Sequence, residues 1–177
     1  MTTIKQFQIF EFDQLDSSSD YLKINYEKYN TFDVIWAKKQ SHGRGQYDRI
    51  WESNSGGLFF SILFEPNFEK LEVQDLILDF SVFFKEFIFL KYNINLKIKS
   101  PNDVYFEDKK ICGVLIENSF LGSNLEYCIM GIGININQKM KKVDNFEAIS
   151  LSEILGSDVE LKSFFYELLL AWEPKFN

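Results

Sequence analysis

Short apolar runs of strand length outnumber helical stretches in this chain, and they do not alternate with them. Residues 7–12 (FQIFEF), 31–38 (TFDVIWAK) and 57–64 (GLFFSILF) read as strands. Their β-branched and aromatic side chains suit a half-buried pleated surface. Residues 95–98, 104–106, 110–118 and 125–135 extend the set, with Glu107-Asp108 as a hairpin turn. Helical spacing is clear between Asp75 and about Tyr92, where Leu76, Phe80, Phe83, Phe84, Phe87 and Ile88 share one face. Asp16 and Ser17–Ser19 supply N-cap chemistry for a helix through about Lys28. Ser157-Asp158-Val159-Glu160 has the capping-box pattern for a last helix whose apolar face is Leu161, Phe164, Phe165, Leu168, Leu169 and Trp172. A doubly wound parallel sheet requires regular strand–helix alternation. The expectation is therefore an α+β fold: a mixed, largely antiparallel sheet with helices packed on one face.

The chain has 177 residues, enough for one domain with a real core, and shows no repeat, linker or low-complexity tract. The expected organisation is a single domain over 1–177. No apolar run reaches the roughly 18 residues of a membrane span, and the N-terminus lacks the features of a secretory signal. Cys112 and Cys128 form no CxxC and have no His pair nearby, so they read as buried structural thiols and the metal ligand set is unknown. The chain reads as cytoplasmic. A net charge of −7 argues against a nucleic-acid partner, because phosphate contacts need a basic face. Yet Lys38, Lys39 and both arginines of the chain, Arg44 and Arg49, cluster within twelve positions.

Three segments bear on chemistry. Gly43-Arg44-Gly45 sets a guanidinium between two residues of high backbone freedom, so this loop can open to a ligand and close with its amides and Arg44 on an anion. It also reads as a surface loop that happens to carry an arginine. Lys110 enters an apolar strand seven residues after Asp103 of the Pro101-Asn102-Asp103 turn, with Gly113 leaving backbone exposed beside it. It points into a pocket or protects a sheet edge, and Asp103 is its charge partner or a turn former. The GIGININ run at 131–137 has no third Gly and no following helix, so it is not a dinucleotide fingerprint. Its Asn135 and Asn137 suit a polar cavity. The single histidine, His42, reads as incidental.

Taken together, these elements resemble the catalytic domain of biotin–protein ligases. That family shows an N-terminal Asp-Ser-Thr-Asn, a Gln before GRGRxGRxW, WxSxxGxxLxxS, KWPND, a Lys seven residues after its Asp and a Gly three further, and GIGxNVN. Here stand Asp16-Ser17-Ser18-Ser19, Gln40, Gly43-Arg44-Gly45, Arg49 and Trp51. Ser53, Gly56, Leu58, Ser61, Lys99, Pro101-Asn102-Asp103, Lys110, Gly113, Glu117, Gly131, Gly133, Asn135 and Asn137 follow, so the likeness spans about residues 7–137.

The resemblance implies a ligase that activates biotin with ATP, Mg2+ accompanying the nucleotide. It would pass the biotinyl group to a lysine of a biotin carboxyl carrier protein or domain, as in acetyl-CoA carboxylase. Lys110, Arg44 and Asp103 would carry the chemistry. Ser17, Ser18, Ser19, Gln40, Gly43, Arg44, Gly45, Gln46, Lys110 and Gly113 would hold biotin, and Arg44, Arg49, Trp51, Asn102 and Asn135 would hold ATP. A homodimer through sheet edges is compatible with it. The resemblance further implies that the DNA-binding domain of some relatives does not precede this one and that their small C-terminal β-barrel is absent or cut away. The chain departs from the pattern at Gln46 (family Arg), Asp48 (Gly), Ser100 (Trp) and Ser19 (Asn). Gln46 and Asp48 shift the loop by two charge units, which implies a weaker hold on the adenylate. The alternatives are a lipoate or octanoate ligase or transferase, whose Arg-Arg and Gly-Gly-Gly runs are not in the sequence, and a non-catalytic biotin-binding relative.

Overall fold

The computed structural model describes residues 6–64, 73–99, 102–140 and 147–176. Among them, seven strands form a single sheet: β1 (Ile9–Phe12), β2 (Val34–Ala37), β3 (Leu58–Phe64), β4 (Lys97–Lys99), β5 (Asp103–Phe106), β6 (Lys109–Leu121) and β7 (Asn124–Ile134). Their spatial order is β1-β2-β3-β7-β6-β5-β4. Only β1 and β2 run parallel; every other pair is antiparallel. The helices are α1 (Ser18–Asn25), α2 (Val73–Tyr92), α3 (Leu151–Leu155) and α4 (Leu161–Trp172). This is the expected α+β class, with the expected hairpin turn at Glu107-Asp108.

The period-2 alternation of β3 divides the core. Leu58, Phe60, Ile62 and Phe64 face α2 and α4 in one large apolar cluster. Trp36 and Phe60 meet Phe165 of α4 at centroid distances of 5.0 and 4.8 Å. Trp172 closes the α4 end by stacking on Phe7 and Phe83 and meeting Phe80 edge-on. The long helices thus pack on one face. Short α1 lies on the other, where Leu22 joins Ile35, Leu63 and Ile129 in a second cluster. That second face is only partly covered, and the cavity lies on it. Cys112 and Cys128 are buried with free thiols, and burial holds both well above the usual thiol range, Cys128 at about 12.

Several local expectations shift. The strand expected over 31–38 is confined to Val34–Ala37, because Phe32 adopts φ 73°, a left-handed turn value. The helix from Ser18 tightens into a 3-10 turn at Tyr26–Lys28. The capping box expected at Ser157–Glu160 belongs instead to α3, where Ser150 and Glu153 bond each other's backbone N–H groups. Glu160 caps α4 directly, its carboxylate accepting from the N–H groups of Lys162 and Ser163. Ser100 and Pro101 lie outside the described residues.

Candidate active site

Three glycines carve the second face of the sheet. Gly113 of β6 pairs with Gly133 of β7, and Leu115 of β6 with Gly131 of β7. Across β7, Gly133 pairs with Phe59 and Gly131 with Ser61 of β3. Two neighbouring rows of the sheet are therefore partly stripped of side chains, leaving a trough along the backbone. Trp51 lies flat on that floor. A Cβ at Gly133 would stand 2.5 Å from its indole ring, and one at Gly113 would stand 2.8 Å from it.

Lys110 reaches the same trough because β6 bulges. Val104 pairs with Cys112 and Tyr105 with Lys110, so Ile111 is an extra residue on β6. In a regular strand, positions 110 and 113 would face opposite sides; the inserted residue puts both on the trough side. Lys110 Nζ lies 2.6 Å from Asp103 Oδ1 and 5.0 Å from the Trp51 ring centroid. The Lys110 side chain is 12% exposed, so the cation is fixed at the wall of the cavity rather than guarding an edge. Asp103 is its charge partner.

The other end of the trough is polar. Ser61 Oγ lies 2.8 Å from Ser18 Oγ and 2.9 Å from Ser19 Oγ, all three residues buried. The Ser18 N–H donates to Gln40 Oε1 (2.8 Å), Gln40 Nε2 to Ser53 Oγ (2.9 Å), and Ser53 Oγ to the Trp51 carbonyl (3.0 Å). This relay ties the first turn of α1 to the strap that carries Trp51. Sequence reading passed over Ser53 and Ser61 as site residues, although their spacing within the Trp51–Ser61 segment was the available signal.

The loop expected at Gly43-Arg44-Gly45 is part of a small hairpin: Trp51 N–H donates to Gly43 O, Gly45 N–H to Arg49 O, and Arg44 bridges Ile50. Tyr47 holds φ 55° at its tip. Arg44 turns toward α1 and β6. Its Nη2 lies 2.5 and 2.7 Å from the two Glu117 oxygens and 2.9 Å from Asp20 Oδ1.

Of the expected site residues, Ser18, Ser19, Gln40, Arg44, Gly45, Gln46, Arg49, Trp51, Asn102, Asp103, Lys110, Gly113 and Asn135 line one cavity of about 290 Å3. Ser17 and Gly43 do not. Ser17 is buried and its hydroxyl caps α1 by accepting from Asp20 N–H. At Gly43 a Cβ would meet the Ser53 hydroxyl and stand 2.5 Å from the Trp51 carbonyl, so glycine serves the hairpin's close packing. Asn137, expected in a polar cavity, exchanges two hydrogen bonds with the Val159 backbone instead. Asn135 and Asn102 reach the cavity while bonding the carbonyls of Lys110 and Val114, so both shape its wall. Arg44 Nε and Trp51 Nε1 are buried without a hydrogen-bond partner among the described residues. The orphaned Trp51 donor on the lining suits a ligand that brings an acceptor to it. No cluster of His, Cys, Asp or Glu among the described residues could hold a metal ion, and no helix among them is long and apolar enough to cross a membrane.

The comparisons with known proteins agree with this geometry. The bifunctional ligase/repressor BirA of Bacillus spizizenii is 31% identical over 151 residues, covering 81% of this chain and 46% of the relative. The chain thus spans about half the length of the curated relatives it matches. A structure of Aquifex aeolicus biotin protein ligase in complex with biotin and ATP superposes with TM-score 0.81 at 32% identity, covering 95% of this chain and 69% of that one. Plasmodium falciparum LipL1 in complex with lipoate shares the fold alone, at TM-score 0.61 and 13% identity. The model of the biotin/lipoate A/B protein ligase family matches residues 11–135, the stretch that builds the glycine trough, Lys110 and the Arg44 hairpin, and this chain belongs to that family.

Proposed function

We propose that this chain is the catalytic unit of a biotin–[acetyl-CoA-carboxylase] ligase. A carboxylate oxygen of biotin attacks the α-phosphorus of ATP; the bond to the β-phosphate oxygen breaks, and pyrophosphate leaves. The amine of an acceptor lysine then attacks the acyl carbon of biotinyl-5'-AMP; AMP leaves as the amide forms and the amine proton passes to solvent. Mg2+ arrives as the ATP complex. The acceptor is a biotin carboxyl carrier protein or domain, and the setting is the cytoplasm. A homodimer is compatible with this reading.

Lys110 neutralises the biotin carboxylate and later polarises the acyl carbonyl, held on its line by Asp103. Such a fixed cation accelerates because it is already oriented where charge builds up. Arg49, the loop amides and the Trp51 Nε1 donor face the nucleotide side, with Asn102 and Asn135 shaping that wall. The observation that carries the reading is the polar end of the trough. Two buried serine hydroxyls, of Ser18 and Ser19, each within 2.9 Å of the buried Ser61 hydroxyl, with Gln40 beside them, suit a ureido ring that both donates and accepts hydrogen bonds. They are a poor match for the sulfurs of a dithiolane. The lipoate alternative is correspondingly disfavoured.

The test is pyrophosphate release from ATP with biotin, with lipoate and with no acid, followed by transfer of label to a carrier domain. Biotin-dependent release is expected. Release driven by lipoate alone overturns the substrate, and biotin binding without release marks a non-catalytic relative.

A further inference from the structure

We propose that Glu117 is a positioning residue that clasps the Arg44 hairpin over the cavity, so that Arg44 serves as the latch of the loop rather than as the cation offered to the ligand's anion. Glu117 lies on the trough side of β6 and pairs with Ile129, one row outward from Leu115 and Gly131. Both of its oxygens contact Arg44 Nη2, and Oε1 also lies 2.5 Å from Lys23 Nζ. Asp20 Oδ1 stands 2.9 Å from the same Arg44 nitrogen and 3.5 Å from Lys23 Nζ.

Two cations and two carboxylates thus form a neutral cluster that joins α1, β6 and the hairpin. An isolated exposed ion pair contributes little, but here four groups share the charge. The side chains of Glu117 and Arg44 are only 20% and 35% exposed, which limits screening. The hairpin hangs from this point: Arg44 bridges Ile50, and Trp51 N–H returns to Gly43 O. Holding Arg44 therefore holds Trp51 on the glycine floor. A nitrogen already surrounded by three carboxylate oxygens would have to break these contacts to reach a phosphate. Glu117 stood in the sequence at the family spacing, yet nothing there linked it to an arginine 73 residues earlier.

The inference rests on the biotinyl-adenylate reading only for the ligand used in its second arm. In the first arm, amide hydrogen exchange is measured on ligand-free protein for the native chain, Asp20→Asn, Glu117→Gln, Arg44→Gln and the double variant Arg44→Gln/Glu117→Gln. Amides of residues 43–51 should exchange at least tenfold faster in Glu117→Gln, those of β3 and β7 should be unchanged, and the double variant should be no faster than either single one. Asp20→Asn, which removes one carboxylate and leaves Glu117 in place, should fall between. In the second arm, Glu117→Gln and Arg44→Gln should speed biotinyl-adenylate release by similar factors, without adding in the double variant. Unchanged loop exchange in Glu117→Gln overturns the clasp. So does slower release in Glu117→Gln beside faster release in Arg44→Gln, the pattern of a freed arginine gripping the ligand itself. If the native chain does not retain biotinyl-adenylate, the ligand reading fails, and the exchange arm still decides the clasp.

Discussion

Lys110 and Gly113 face the same side of β6 although three positions separate them, because Ile111 is an extra residue opposite the Val104–Tyr105 step. The bulge brings a fixed cation to the glycine floor, 5.0 Å from the centroid of the Trp51 ring that packs there. Lys110→Ala removes a charge-assisted contact of about 1.5–3 kcal/mol, roughly 10- to 150-fold in rate. Biotin-dependent pyrophosphate release should fall by that factor while the urea midpoint stays close to native. Near-normal release would remove Lys110 from the reaction.

Gly133→Ala should push Trp51 off the floor of the trough. The added Cβ would stand 2.5 Å from the indole, which is ring rather than a flexible chain end. We expect an altered tryptophan emission and at least about tenfold weaker ligand binding, the scale of one poorly seated contact. Gly131→Ala is the contrast for emission alone: its Cβ meets the Ser19 hydroxyl and not the indole, so the tryptophan emission should stay native. Equal emission and binding in Gly133→Ala and the native chain would refute the packing argument.

Gln46 lines the cavity where the family pattern has arginine. A neutral amide lacks one charge-assisted hydrogen bond to an adenylate phosphate, about 1–2 kcal/mol or roughly tenfold in retention. Gln46→Arg should therefore slow dissociation of biotinyl-5'-AMP by about that factor. An unchanged or faster off-rate would make Gln46 a neutral variant.

Acid sensitivity should trace in part to Glu11. Lys162 of α4 and Lys38, just beyond β2, each stand 3.0 Å from its oxygens. Their hydrogen bonds hold its carboxyl below the ordinary 4.5. A folded-state value below the unfolded one means stability that is present above about pH 4.5 and lost as pH falls through the lower folded value. Glu11→Gln should flatten the stability-against-pH curve in that acid window, and the alkaline limb should shift too, because Glu11 raises the Lys162 value and, beside Asp13, the Lys38 value. Identical acid limbs in variant and native protein would rule the pair contacts out.

Trp172 tests how α4 is anchored. It is fully buried against Phe7, Phe80 and Phe83. Trp172→Ala should cost about 3–5 kcal/mol by cavity formation, read as a lower denaturation midpoint at unchanged slope. A loss below about 1 kcal/mol would mean the α2–α4 layer closes without it.

Much of this protein is written locally and was legible there. The helical spacing of Leu76, Phe80 and Phe84 and the apolar run of β3 each follow from periodicities that neighbouring residues set. Ser17 could be read as part of a cap because an N-cap acts within its own turn. The motif spacings also brought most of the cavity-lining residues onto one candidate set. What tertiary structure alone decided are relations across the sheet. The bulge at Ile111 depends on how β5 meets β6, and the glycine trough exists only because Gly113 and Gly133 fall in register. The same holds for charge: Arg44 looked like a free cation in sequence, and only the fold sets Glu117 and Asp20 against it. Asn137 likewise read as a cavity residue, yet it is spent on Val159, 22 residues away. Side chains compete for partners in space, so the partner that prevails is fixed by packing and not by the residues on either side.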